Sequence, residues 1–144
     1  DKNGVNNTYE SPDSINQIDW NNKTTYNDIF TYYQGLIALR KAHPAFRMTS
    51  LDMMKKHLKF IELGVPNVVA FTLSNNANGD SWKNILVIYN GNRKNVNVEL
   101  PEGEWNVAVH DGKISVETPL FTVKNPKFVV GASSASIMYS PLTP

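Results

Sequence analysis

The sequence predicts a mainly β protein: an antiparallel β-sandwich preceded by one polar loop and one helix. Three observations carry that expectation. Apolar residues recur every three or four positions from Tyr26 to Leu39, then give way to alternation beyond about residue 57. Turn dipeptides such as Asn78-Gly79 and Asp111-Gly112 divide the later part into short runs, about eight to twelve residues apart. The first 23 residues are polar and turn-rich, and seven of the first 28 residues are Asn.

The opening loop holds too little apolar material to order itself. A helix is expected from Thr25 to Lys41, with Thr25 and Asp28 spaced as a capping box. Tyr26, Ile29, Phe30, Tyr33, Leu36 and Ile37 form one apolar stripe, and Leu39 extends one edge of it. Arg40 and Lys41 suit the negative end of the helix dipole, and Pro44 stops the helix. Gly35 inside a helix costs about 1 kcal/mol against Ala, so a close packing contact is expected there.

Ser50 or Asp52 can cap a short helical turn through Met53 to Lys55. Strands are then expected over 58–63 and 68–74, joined by a turn at Gly64-Val65-Pro66-Asn67, with a polar turn over 75–80. Ile85-Leu86-Val87-Ile88-Tyr89 is continuously apolar, as in a strand covered on both faces. Asn90-Gly91 suggests a tight hairpin into a strand alternating Val96, Val98 and Leu100 with Asn95, Asn97 and Glu99. Trp105, Val107 and Val109 are expected on one face of the next strand. Further strands are expected around Ile114 to Val116, and over 120–123, 128–130 and 136–140. Seven or eight short antiparallel strands amount to a sandwich with its own core.

Of the 144 residues, 41% are hydrophobic and 19% charged, ordinary for a globular protein. The net charge of +1 comes from fourteen basic and thirteen acidic residues without a basic stripe, so no nucleic-acid partner is expected. The run Lys55-Lys56-His57 with Lys59 reads as a solvated surface. No apolar run approaches the ~18 residues of a membrane span, so no membrane partner is expected. Without cysteine there is no disulfide, thiol nucleophile or thiolate metal site, and the compartment, secreted or cytoplasmic, stays open.

Chemistry-bearing residues are sparse. His43, His57 and His110 have no partner at metal-ligand spacing; His43 is expected to cap the helix end, and the other two to lie exposed at strand edges. No Gly-x-Ser-x-Gly elbow surrounds Ser133, Ser134 or Ser136, and no glycine-rich phosphate loop exists, so no cofactor or metal is expected. Glycoside hydrolysis needs two carboxylates flanking one bond, about 5 to 9 Å apart. Glu10, Asp13 and Asp19 share a loop, yet no regular element fixes them, and a local role is as natural: Asp13 starting a turn, Asp19 accepting from backbone N–H groups. Trp82 lies in a polar run, where it either stacks on a sugar or packs against a neighbouring domain; Trp105 alternates with valines and reads as core.

Two long segments carry a family resemblance. Asn7-Thr8-Tyr9-Glu10-Ser11-Pro12-Asp13-Ser14-Ile15-Asn16-Gln17-Ile18-Asp19-Trp20 is the first; Tyr32-Tyr33-Gln34-Gly35-Leu36-Ile37-Ala38-Leu39-Arg40-Lys41-Ala42-His43-Pro44-Ala45-Phe46-Arg47-Met48 is the second. Together with Val65-Pro66-Asn67-Val68-Val69-Ala70-Phe71 and Asn78-Gly79-Asp80-Ser81-Trp82-Lys83-Asn84-Ile85, they resemble bacterial type I pullulanases. These are starch-debranching enzymes of the α-amylase superfamily, glycoside hydrolase family 13. The resemblance runs over nearly the whole chain.

It implies that residues 1–48 are the end of a (β/α)8 catalytic barrel, namely the loop after its last strand and its last helix. Residues 49–144 would be the C-terminal β-sandwich. The family cleaves α-1,6 branch linkages by a retaining mechanism with an Asp nucleophile, a Glu acid/base and a second Asp. All three would precede residue 1, so this chain alone is expected to be inactive. By resemblance, Asp13 and Gln17 would hold glucose units beside the scissile bond, with Asn7, Tyr9 and Asn16 on the same loop surface. Some relatives carry Arg at the position of Gln17. The implied partners are the upstream barrel portion and an α-glucan substrate. The alternative is a stand-alone starch-binding or structural sandwich.

Overall fold

The computed structural model describes residue 4 and residues 7–140. The chain forms two compact units that divide between Thr31 and Tyr32. Among the described residues it has four α-helices and nine β-strands.

The first unit contains α1 (Asp13–Asn16), α2 (Asn22–Thr25) and the beginning of α3 (Asn27–Ala42). The expected helix start at Thr25 is therefore wrong. The Thr25 N–H donates to the Asn21 carbonyl at 2.9 Å, so Thr25 closes α2, and Tyr26 (φ −115°, ψ 45°) breaks the path before α3 begins. Asp28 still lies in the first turn of α3, and Arg40 and Lys41 in its last.

The second unit begins in α3. Gly35 lies so close to Ile114 that a Cβ there would collide with the Ile114 side chain, which is the close contact expected of a mid-helix glycine. After His43 the chain makes a 3-10 turn (Pro44–Arg47), and then α4 (Leu51–His57). Ser50 caps α4, its Oγ accepting from the Met53 N–H at 3.2 Å.

The strands are β1 (Leu58–Ile61), β2 (Val68–Leu73), β3 (Ile85–Asn90), β4 (Val96–Glu99), β5 (Trp105–His110), β6 (Lys113–Ile114), β7 (Phe121–Val123), β8 (Lys127–Val130) and β9 (Ser134–Tyr139). The larger sheet runs β1-β2-β3-β9-β5-β6, with β7 also paired to β5; β4 and β8 form the second. Every pairing is antiparallel. Asp111 (φ 45°) and Gly112 (φ 71°) are both left-handed, the geometry of the two-residue hairpin joining β5 to β6.

β3 is enclosed on both faces, as its unbroken apolar run predicts. Leu86 and Ile88 join Val96, Val98, Trp105, Val107, Phe128 and Val130 in a core shared by the two sheets. Ile85 and Val87 join Leu39, Ala45 and Trp82 on the other face, where α3 packs. Val109 belongs to this second cluster, not beside Val107 as alternation predicts. A β-bulge explains the change: Val107 pairs with Met138 and Val109 with Ile137, leaving Ala108 unpaired and reversing the faces.

Asn90-Gly91 is not a hairpin. β3 pairs with β2 and β9, whereas β4 pairs with β8, so the dipeptide begins a crossing between sheets. The buried Asn90 side chain directs it. Its Nδ2 donates to the carbonyls of Lys94 (2.9 Å) and Gly131 (2.7 Å), with the Val130 carbonyl (3.3 Å) sharing one of the two hydrogens, and its Oδ1 accepts from the Asn92 backbone N–H and Nδ2. These five contacts hold the crossing between the sheets in place.

Candidate functional site

The five candidate ligands Asn7, Tyr9, Asp13, Asn16 and Gln17 lie in one segment of the first unit. Turn bonds shape it: the Ser11 N–H donates to the Thr8 carbonyl at 3.0 Å, and the Gln17 N–H to the Asp13 carbonyl at 2.7 Å. Asn16 braces the curve, its Nδ2 donating to the Thr8 carbonyl at 2.8 Å and the Ser11 carbonyl at 3.0 Å. The Asn7 Oδ1 accepts from the Tyr9 N–H at 3.0 Å. Asn7 and Asn16 are thus committed to the loop backbone. Tyr9 is 89% exposed, and the exposed Asp13 carboxylate has no hydrogen bond or ion pair among the described residues. Asp19, by contrast, accepts from the Asn21 N–H at 3.0 Å, the local role expected of it.

Acid–base catalysis by a carboxyl pair depends on enclosure, which sets the two groups apart in acidity. Glu10, Asp13 and Asp19 are all exposed. Among the described residues Asp80 is the only buried carboxylate, and its oxygens accept from His43 Nδ1 (2.9 Å), the Ala45 N–H (3.0 Å) and the Trp82 N–H (2.8 Å). Burial pushes the Asp80 carboxyl up in pKa, but the bonds from His43, Ala45 and Trp82 outweigh it and leave the carboxyl below its ordinary range. Its neighbours are structural, not catalytic. No group of three His, Asp or Glu among the described residues could hold a metal.

Trp82 is not a sugar platform. It is 9% exposed, stacked between His43 (centroids 3.5 Å apart) and Tyr139 (4.0 Å, planes 4° apart). The flanking Ser81 and Lys83 are exposed while the ring turns in. Two further expectations need correcting. His43 is buried and bonded to Asp80 instead of capping the helix, and His57 is buried with Nδ1 donating to the Ser74 carbonyl at 2.7 Å. His110 is half-buried, its Nδ1 3.1 Å from the Ser136 Oγ. Each of these partners is remote in sequence, so local pattern gave no signal of burial. Trp105 is core as expected, its Nε1 donating to the Pro101 carbonyl.

Comparison with known proteins places this architecture. The family described as the pullulanase all-beta domain matches residues 54–113. A curated pullulanase of Bacillus subtilis is 41% identical over 100 residues, 69% of this chain and 14% of that protein. The solved pullulanase of Bacillus acidopullulyticus superposes with a TM-score of 0.90 at 42% identity, covering 96% of this chain and 17% of that one. Type I pullulanase from Bacillus subtilis, solved with maltose, gives 0.84 at 34% identity, covering 96% of this chain and 19% of that one. An all-β sandwich with these likenesses defines a β-domain piece of a pullulanase-type protein. The chain belongs to the pullulanase family, as a C-terminal fragment of the type I enzymes. It spans about a seventh to a fifth of the relatives it matches.

Proposed function

We propose that this chain is part of an enzyme that hydrolyses α-1,6-glucosidic branch linkages in pullulan, amylopectin and related glucans by a retaining mechanism. Residues 1–48 complete the catalytic barrel, and residues 49–144 form a sandwich that steadies it. The observation that carries the proposal is agreement with a pullulanase over 96% of the chain, the loop segment included, at 42% identity.

Within that enzyme, Asp13, with its free carboxylate, and Gln17 contact glucose units at the cleft, and the exposed Tyr9 offers a ring face. Asn7 and Asn16 act on substrate by holding the loop in shape. The nucleophile and acid/base come from the upstream portion, because the loop carboxylates here are exposed and unpaired with any enclosed acid. The exposed apolar residues Tyr33 (62%) and Ile37 (58%) on α3 support a covering partner, and the upstream barrel is the one proposed.

Pullulan should release maltotriose with the full-length protein and none with this chain alone. Release by the isolated chain would overturn the assignment of the reacting carboxylates to the upstream portion. A full-length protein that leaves pullulan intact would overturn the activity itself.

A further inference from the structure

An open cleft of about 580 Å³ lies within the second unit, with Tyr32, Tyr89, Gly112, Ser133 and Ser134 on its walls. Neither the loop site nor the sandwich core uses it. Its lining contains no Lys, Arg, Asp or Glu, so an ionic ligand would find no counter-charge. Nor does it offer a free strand edge to a peptide, because β3 is paired on one side with β2 and on the other with β9.

Its chemistry is that of aromatic faces and uncharged hydroxyls. Tyr89 is 49% exposed and Tyr32 is half-buried. Both tyrosines line the cleft; burial pushes the Tyr32 hydroxyl up in pKa, and Tyr89, then Tyr33, add to the effect. Neither tyrosine hydroxyl makes a hydrogen bond among the described residues, and neither does that of Ser133. Ser133 is held in a left-handed conformation (φ 46°), a strained backbone that the surrounding turn must impose. Ser134 donates to the Gly131 carbonyl at 2.8 Å and keeps its lone pairs free to accept. Open space surrounds Gly112, and the tethered Asn90 fixes the neighbouring crossing. A pyranose ring has an apolar face and a rim of hydroxyls, and matches this lining.

We propose that the Tyr32–Tyr89 cleft is a non-catalytic binding site for a short stretch of polysaccharide. Pyranose rings lie on the tyrosine faces, and sugar hydroxyls bond to Ser133, Ser134 and the phenols. That the polysaccharide is an α-glucan rests on the function proposed above. The cleft itself rests only on its own geometry.

The test is titration of the ¹⁵N-labelled 144-residue chain with maltoheptaose, and separately with the β-linked cellohexaose. Saturable shifts at Tyr32, Tyr89, Gly112 and Ser133–Ala135 are expected with maltoheptaose. Tyr89→Ala should weaken binding about tenfold or more, whereas Phe60→Ala, outside the cleft, should not. If Tyr89→Ala fails to fold, the shift map of the unaltered chain decides. Absence of saturable shifts through the millimolar range, or shifts confined to other residues, overturns the site. Tyr89-dependent binding of cellohexaose in preference to maltoheptaose overturns the α-glucan assignment and leaves a sugar site. Pullulan cleavage by the full-length protein can fail without altering this titration, so the two proposals fail separately.

Discussion

His43 and Asp80, 37 residues apart, meet through the His43 Nδ1 and an Asp80 oxygen at 2.9 Å, joining the end of α3 to the loop before β3. Because the carboxylate also accepts from the backbone N–H groups of Ala45 and Trp82, one buried charge ties the turn after α3 to the loop over residues 80–82. Trp82 stacks on His43, so the polar link and the aromatic stack share a residue.

That link makes stability depend on acid pH. The ordinary Asp value of 3.8 is lowered in the folded chain, so folding favours the charged carboxylate. Its contribution is fully present above the unfolded value and is lost as pH falls through the folded one. Asp80→Asn should cost on the order of 3 kcal/mol at pH 7, and the gap to the unaltered chain should narrow below the ordinary value of 3.8. Urea unfolding at pH 7 and pH 3 reads both. An equal gap at the two pH values would rule the account out.

Gly35 and Ile114 give a packing test. Alanine improves helix propensity by about 1 kcal/mol, whereas overpacking a close contact costs about 1–3 kcal/mol. Because the added methyl meets a β-branched side chain, the second effect should win and Gly35→Ala should lower the thermal midpoint. Combining it with Ile114→Ala should recover part of that loss, measured as coupling in a double-mutant cycle.

Trp82→Ala should lower unfolding free energy by about 3–5 kcal/mol, the range for emptying a large aromatic site. Trp82→Phe, which keeps a ring between His43 and Tyr139, should cost much less. If Trp82→Ala were instead neutral in calorimetry, the stacked arrangement would not be what supports this side of the sheet.

The loop residues should separate by role. Asp13→Ala should leave stability within about 0.5 kcal/mol, while raising KM for pullulan in the full-length protein. Asn16→Ala removes two side-chain hydrogen bonds from the turn and should loosen it, seen as faster amide exchange at residues 8–17. Similar exchange in both variants would erase the distinction.

What could be read from sequence was whatever is written locally. The apolar run of β3, the alternation of β4, the Ser50 cap and the Gly35 contact are set by residues a few positions apart or by one special residue. The burial of Trp82, His43 and His57 depends on Tyr139, Asp80 and Ser74, and local polarity pointed the wrong way. The Ala108 bulge left no mark in the Trp-x-Val-x-Val pattern. Within the candidate loop, the difference between a bracing Asn16 and an unbonded Asp13 was not legible, because Asn16 acts through the carbonyls of Thr8 and Ser11, which only the folded loop brings to it.

The tether at Asn90 also bears on chemical ageing. An Asn followed by Gly is the dipeptide most open to deamidation, in which the glycine nitrogen attacks the side-chain amide to form a succinimide. Here that nitrogen donates to the Asn67 carbonyl at 2.9 Å and the amide is occupied by three carbonyls, so the ring cannot close without local unfolding. Peptide mapping of stored material should find Asn90 intact while the fold persists. Conversion there would register past excursions to the unfolded state, a built-in record of thermal history.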